Sequence, residues 1–358
     1  MPAPERKSDL PVGCAAPLNL EEAALRIEEM MAVGDATLFQ PIPTGFLHFD
    51  RLMGGGLRGG DLHIIGGAQN IGKTAMLLQI AARVASEGAL ALVVCYEHGV
   101  QMLWERLLCQ SSHALHGEHR VSAVSLSEAY LAAVSERGGV AIGENRGRPH
   151  MLDEVIRRVP GGIKAWSRMA EIAQNLWLVS GDGLFTSVDA LAQYLQFAFR
   201  PRRRVVLFID YLQQVPVPGT ERPLEVEERI ERVLRGLKGL ALRHFEAGKV
   251  LPIVAVAAVD GQGLRGGRVH AENLWGGAAI QYEPDVIWIG NREGASPAGE
   301  VIIRWAVEKN RRGPSDLEFR HRYHGAAYSF DLVGEPVPAE ESWQPERLGV
   351  PGRLTPSA

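Results

Sequence analysis

The residues Gly67-Ala68-Gln69-Asn70-Ile71-Gly72-Lys73-Thr74 fit the spacing G-x-x-x-x-G-K-[ST], and each position in that spacing has a physical role. The glycines let backbone N–H groups turn inward around a phosphate, and the N-terminus of a following helix adds positive potential. Lys73 has the length and charge to reach β- and γ-phosphates, and Thr74 offers a hydroxyl to Mg2+. Ala68, Gln69, Asn70 and Ile71 supply the backbone of the same cradle. The chemistry this implies is the binding of a nucleoside triphosphate with Mg2+.

Hydrolysis needs two further groups, and two apolar runs end in carboxylates. Val205-Val-Leu-Phe-Ile-Asp210 places an aspartate where a strand would deliver it to a metal at the C-terminal edge of a sheet. Leu92-Val-Val-Cys-Tyr-Glu97 ends a neighbouring run with a glutamate that has the chemistry of a general base for an attacking water.

The elements that must position these groups follow from hydrophobic patterning. Asp61–Gly66, Leu90–Tyr96, Val205–Asp210, Leu251–Val259 and Val286–Gly290 are short apolar runs, as expected of strands buried on both faces of a parallel sheet. Helical segments such as Thr74–Ser86 and Glu225–Glu246 lie between them. Val301–Glu308, Leu317–Tyr323 and Ala327–Phe330 read as antiparallel edge strands. The expected fold is therefore α/β, a P-loop domain with a doubly wound, mostly parallel sheet and antiparallel edge strands.

Around this domain, expected over 41–333, the sequence suggests three accessories. Residues 1–40 form an arm with a short helix from Asn19, whose apolar stripe includes Leu25, Met30 and Met31. Residues 117–164 read as an insertion, and the proline-bearing stretch 334–358 reads as a tail.

Composition narrows the class. Among 358 residues, 46% are hydrophobic and 22% charged, a globular balance. No apolar run approaches the roughly 18 residues of a membrane span, and no secretory signal is visible. Three cysteines fit no disulfide scaffold, so a reducing cytoplasm is expected. A net charge of −4 leaves any nucleic-acid contact to local basic clusters.

Several stretches together resemble the ATPase domain of DnaB-type replicative helicases and their RecA/RadA/KaiC-like relatives. They are the entry Ile42–Gly67, Tyr96-Glu97 with Gln101–Leu108, Asp210-Tyr-Leu-Gln213, Ala279–Val286 and Lys309-Asn-Arg311-Arg-Gly313-Pro. The resemblance covers about 41–332 apart from the insertion. It implies that Lys73, Thr74 and Asp210 hold Mg-ATP, that Glu97 activates water, and that Lys309 and Arg311 reach ATP bound by an adjacent subunit. That in turn implies a homo-oligomeric ring, commonly a hexamer, acting on single-stranded DNA. A replication or accessory protein would bind through the arm or the insertion. The alternative is a non-helicase relative, an ATP-gated scaffold or loader whose nucleotide controls assembly.

Three departures from the family pattern bear on that choice. The family's N-terminal domain is not found ahead of the motor. The glutamine that senses γ-phosphate falls on Ala258. The family's Arg-Glu-Ser-Gly segment is replaced by Trp275-Gly-Gly-Ala. Loops 215–224 and 260–273 would face a ring's channel, where Arg265 and Arg268 among glycines suit contact with DNA phosphates. His113-x-x-His116-x-x-His119 drifts around a helix axis and does not converge on one ion, and His321 and His324 read as surface residues.

Overall fold

A computed structural model describes residues 17–32, 34–113, 120–136, 151–200, 202–220, 222, 224–261, 263, 267–295, 300–338 and 340–342. It divides into two units, Met1–Gln40 and Pro41–Ala358. The first carries helix α1 (Leu20–Ala32). Asn19 and Glu22 cap it reciprocally, each side chain accepting the other's backbone N–H. Leu20, Leu25, Ile27 and Met31 of α1 are exposed.

The second unit follows the order α2 (Leu47–Leu52), β1 (Leu62–Gly67), α3 (Lys73–Ser86), β2 (Leu90–Cys95), α4 (Val100–His113), α5 (Ala123–Ser135), α6 (Met151–Arg158) and α7 (Gly162–Ile172). It continues through β3 (Leu176–Ser180), α8 (Val188–Ala198), β4 (Val205–Asp210), α9 (Val226–Glu246), β5 (Ile253–Ala257), α10 (Gly277–Tyr282) and β6 (Val286–Ala295). Four strands close it: β7 (Val301–Asn310), β8 (Leu317–His324), β9 (Ser329–Phe330) and β10 (Glu335–Pro336).

One sheet runs through the unit in the order β10-β8-β7-β6-β1-β5-β4-β2-β3, with β9 on β8. Strands β6, β1, β5, β4, β2 and β3 are parallel, and β7 to β10 add antiparallel pairs at one side. The fold expected from the alternating runs is the one observed. Strand residues alternate between faces. Leu62, Ile64, Leu92, Leu207 and Ile253 pack with Leu191, Leu195, Ile230, Leu234 and Leu237 of α8 and α9. The intervening Ile65, Val93, Phe208 and Val254 are equally buried and point to the face that α3 covers. Both faces are dry, which is why these strands are continuously apolar.

Four readings change. β3 is an additional strand, parallel to β2; it is only half-buried, so its Leu-Trp-Leu-Val-Ser lacks the dense apolar signature of the central strands. The expected insertion does not end at 164, because α7 runs through that boundary and packs on α4, with Trp104 and Trp166 at 5.9 Å between ring centroids. The expected tail contributes β10, paired with β8. His321 is buried rather than superficial, enclosed by Phe46 and Phe49 and hydrogen-bonded through Nδ1 to the Asp331 carbonyl.

The sequence entering the domain has a structural role. Asp50 accepts hydrogen bonds from the Thr44 N–H and hydroxyl (2.8 and 2.7 Å) and from the Gly45 N–H (3.1 Å). Burial still pushes its carboxyl above the usual carboxylate range, against those bonds.

Candidate nucleotide-binding site

Strand β1 ends at Gly67, and the chain turns through Ala68–Ile71 into α3, which begins at Lys73. Two glycines make the turn feasible. Gly67 has φ +143°, and a Cβ there would meet the Gly290 carbonyl oxygen at 2.5 Å. Gly72, at φ +89°, would strike Phe330 at 2.8 Å. The loop is thus pressed between β6 on one side and the β8–β9 hairpin on the other.

Parallel strands deliver the acids to the same edge. Cys95, the last residue of β2, pairs in register with Asp210, the last of β4, and Glu97 lies two residues beyond β2. The Thr74 hydroxyl donates to Asp210 Oδ2 at 2.8 Å. Lys73, Thr74, Glu97 and Asp210 all line one cavity of about 530 Å³. The Lys73 ammonium folds onto the loop and donates to the carbonyls of Gly67 (2.8 Å) and Ala68 (2.7 Å). Of the loop residues, Gln69, Asn70 and Gly72 also line the cavity.

The electrostatics of the site are set by burial. Burial lowers the Lys73 ammonium to about 8, against the pull of Asp210 and Glu97. Burial raises Asp210, aided by the nearby Glu97 charge, while the Thr74 hydrogen bond opposes the shift. Each group is displaced toward its neutral form, and a bound triphosphate and cation would restore both charges. Thr74 and Asp210 are hard oxygen donors 2.8 Å apart, the donor type Mg2+ takes.

Residues outside the sequence-based set complete the walls. Arg106 of α4 lines the cavity, its guanidinium 5.1 Å from the Tyr328 ring centroid. Its signal was the helix following Glu97, but the facing aromatic comes from the far end of the chain. His98 lines the cavity as well, and burial holds its imidazole below its ordinary pKa. The Cys95 thiol donates to Asp210 Oδ2 (3.5 Å), and burial raises it to about 12, so it remains protonated.

Ala258 forms part of the same wall with no side-chain donor. Gln213 bridges this wall to the next loop. Its side-chain oxygen accepts from the Ala258 N–H (3.0 Å) and its nitrogen donates to the Trp275 carbonyl (2.7 Å).

The remaining candidates lie elsewhere. Antiparallel pairing sets Asn310 against Val286, so Lys309 and Arg311 fall at the opposite end of β6 from the phosphate loop. Lys309 donates to the Gln281 and Tyr282 carbonyls, both at 2.7 Å, and burial with the Arg311 charge lowers it to about 8. Arg311 donates to the Tyr282 carbonyl (2.6 Å) and to Asp285 (3.2 Å). Neither reaches its own chain's cavity. Arg268 pairs with the buried Glu318 of β8, so it is anchored to the sheet rather than held out on a mobile loop. Arg265 lies outside the described residues, as do His116 and His119. Among the described residues, no helix is long and apolar enough to cross a membrane.

Comparison with known proteins agrees with this geometry. Residues 41–142 match the family described as the DnaB-like helicase C terminal domain. The DNA repair protein RadA of Mycobacterium tuberculosis (strain ATCC 25618 / H37Rv) is 31% identical over 105 residues, 28% of this chain and 19% of that protein. Protein RecA of Gloeothece citriformis is 33% identical over 100 residues, 27% of this chain and 28% of RecA. The aligned part thus spans about a fifth to a quarter of the length of these curated relatives. Among solved structures, one described as an ATPase domain has a TM-score of 0.65 at 18% identity, covering 88% of this chain and 99% of that one. A DnaB-like replicative helicase, described with its interactions with primase, has a TM-score of 0.62 at 18% identity, covering 88% of this chain and 67% of that one. By this matched segment and by its fold, the chain is identified as similar to the ATPase domains of DnaB-like helicases within the RecA-like P-loop superfamily.

Proposed function

We propose that the protein is a ring-forming ATPase of the DnaB-like type that hydrolyses ATP between subunits and uses the cycle to move on single-stranded DNA. The observation that carries this reading is the convergence of Lys73, Thr74, Glu97 and Asp210 on one cavity at the C-terminal edge of β1, β2 and β4. Loop amides and Lys73 hold the β- and γ-phosphates. Thr74 and Asp210 hold Mg2+, which when bound neutralises phosphate charge. Glu97 takes a proton from water as its oxygen attacks the γ-phosphorus, and the bond to the β–γ bridging oxygen breaks.

Lys309 and Arg311 lie at the other end of the sheet, so any service to a γ-phosphate is rendered to a neighbour's site, in a ring that places them there. A cation supplied this way stabilises charge as it develops on the transferred group. Two carbonyls orient the Lys309 ammonium for that role.

A second reading is favoured by Ala258. Without a donor in that wall, the link from γ-phosphate to the loops beyond β5 passes through Gln213 and backbone alone. This suits an ATP-gated scaffold whose nucleotide controls assembly. Steady-state ATP turnover with and without single-stranded DNA separates the two. Several-fold stimulation together with unwinding of a forked duplex supports the motor. Turnover indifferent to DNA, with ATP-dependent assembly, supports the scaffold. Arg311→Ala mixed with the natural chain should depress turnover more than in proportion to its fraction, if the site is shared between subunits.

A further inference from the structure

We infer that His113, His324 and Asp331 form a binding site for a divalent transition-metal ion of the zinc type, separate from the nucleotide cavity. The three come from the C-terminus of α4, the end of β8 and the residue after β9, and one ligand atom from each lies within 4.8 Å of the other two. His324 Nε2 and Asp331 Oδ1 are 2.9 Å apart, and the two imidazole centroids are 4.2 Å apart. Among the described residues, His113 Nδ1 is buried with no hydrogen-bond partner. A buried imidazole nitrogen without a partner has lost its water and gained nothing in return, a loss that a metal bond would remove.

The donor set selects the metal. Two imidazoles and one carboxylate suit Zn2+, Co2+ or Ni2+, whereas Mg2+ and Ca2+ prefer all-oxygen shells. Tetrahedral Zn2+ with bonds of about 2.0–2.1 Å needs ligand atoms roughly 3.4 Å apart. The His324–Asp331 pair is closer than that because it is a hydrogen bond, so an ion would replace the Nε2 proton and the pair would open to that span, while His113 approaches from within 4.8 Å. An orienting partner is present too. Glu300 Oε1 lies 3.4 Å from His324 Nδ1, where a carboxylate would fix the tautomer that leaves Nε2 for the ion. A cavity of about 310 Å³ lies beside His324, lined also by Arg120, Ser122 and Glu300, and gives solvent access to that ligand.

Such a site would staple α4 to the β8–β9 hairpin. The same two elements meet the nucleotide cavity, α4 through Arg106 and the hairpin through Tyr323 and Tyr328. They are already joined by Gln110, whose nitrogen donates to the Tyr328 carbonyl at 2.6 Å. Metal binding would therefore fix one wall of the ATP pocket from behind.

The test titrates Co2+ into the full chain after chelator treatment, with Mg2+ in excess to fill the Thr74–Asp210 site. One equivalent of Co2+ should produce visible d–d absorption that Zn2+ abolishes, and Zn2+ should raise the melting temperature. His113→Ala, His324→Ala and Asp331→Asn should each lose the absorption, with circular dichroism confirming that the metal-free variants fold. Glu300→Gln keeps every ligand and should weaken Co2+ binding by about tenfold through its second-sphere role. No absorption in the natural chain, or retention of it in any of the three ligand variants, would overturn the assignment.

Discussion

The two ends of the parallel strands treat charge in opposite ways. At the phosphate end, burial drives Lys73 down to about 8 and Asp210 up, each away from its charged form. At the other end the charges are matched. Asp285 accepts from Lys238 (2.6 Å), the Leu62 N–H (2.8 Å) and Arg311 (3.2 Å), and although burial raises its carboxyl, Lys238 and the Leu62 N–H bring it below the ordinary value. Arg312 forms a two-pronged pair with Asp61 at 2.6 and 2.7 Å, and that bond raises its pKa. At that end Asp285 and Asp61 have their partners within the fold and hold the strands in place. At the other, burial displaces both Lys73 and Asp210 toward their neutral forms, the kind of perturbation that clusters at functional sites. Two groups at the far end depart from this pattern: burial lowers His63 to about 4 and Lys309 to about 8, and Lys309 is the residue proposed above to serve a neighbour's phosphate.

The comparison breaks most sharply through kinetics. Glu97→Gln should lower ATP turnover by about 10²–10⁴-fold, the usual worth of a general base, while leaving nucleotide affinity and melting temperature nearly unchanged. Unaltered turnover would remove Glu97 from the role of base. Asp285→Ala should do the converse. It strands Lys238 and the Leu62 N–H in a site where the Asp285 side chain is only 8% exposed. Breaking a buried pair this way costs about 3–5 kcal/mol, measurable by urea unfolding, with ATP affinity in the folded fraction unaffected. A loss below about 1 kcal/mol, the range of an exposed pair, would mean that the far end is not the structural anchor described above. Arg312→Leu should fall lower, at about 1–2 kcal/mol, because Arg312 is 44% exposed and water can replace part of its bond to Asp61.

How far the sequence carried this picture depended on whether a feature was local. The phosphate loop is contiguous, and Asp210 and Glu97 follow apolar runs whose burial on both faces dictates their composition. Strand register then places these groups at one edge without further information. Features made by distant segments were not legible. His113 looked like part of a helical His113-x-x-His116 series, yet its neighbours in space are His324 and Asp331. Arg268 read among glycines as a contact for DNA phosphates, but Glu318, fifty residues on, holds it. His321 read as superficial because an edge strand usually has a wet face; here Phe46 and Phe49 of the domain entry cover it. Arg106 was in a helix already singled out, but its orientation depends on α4 packing against the hairpin that carries Tyr328.

The smallest effect refines the contrast through pH. Burial lowers the Lys73 ammonium to about 8, outweighing its two carboxylate neighbours. A bound triphosphate adds negative charge and raises that pKa, so binding takes up a proton wherever the empty site has lost one. Affinity is therefore complete below pH 8 and declines as pH rises above it, by up to tenfold per unit, or about 1.4 kcal/mol, until the pKa of the bound state is passed. Calorimetric titration with ATP and Mg2+ at pH 7, 8 and 9, in buffers of different ionisation enthalpy, would read both the affinity and the proton uptake. Lys73→Arg, whose guanidinium does not titrate in this range, should flatten the profile even though its altered shape weakens binding overall. A flat profile in the natural chain would mean that Lys73 is charged before ATP arrives. The phosphate end would then be as well balanced as the end built on Asp285, and the electrostatic distinction between them would be lost.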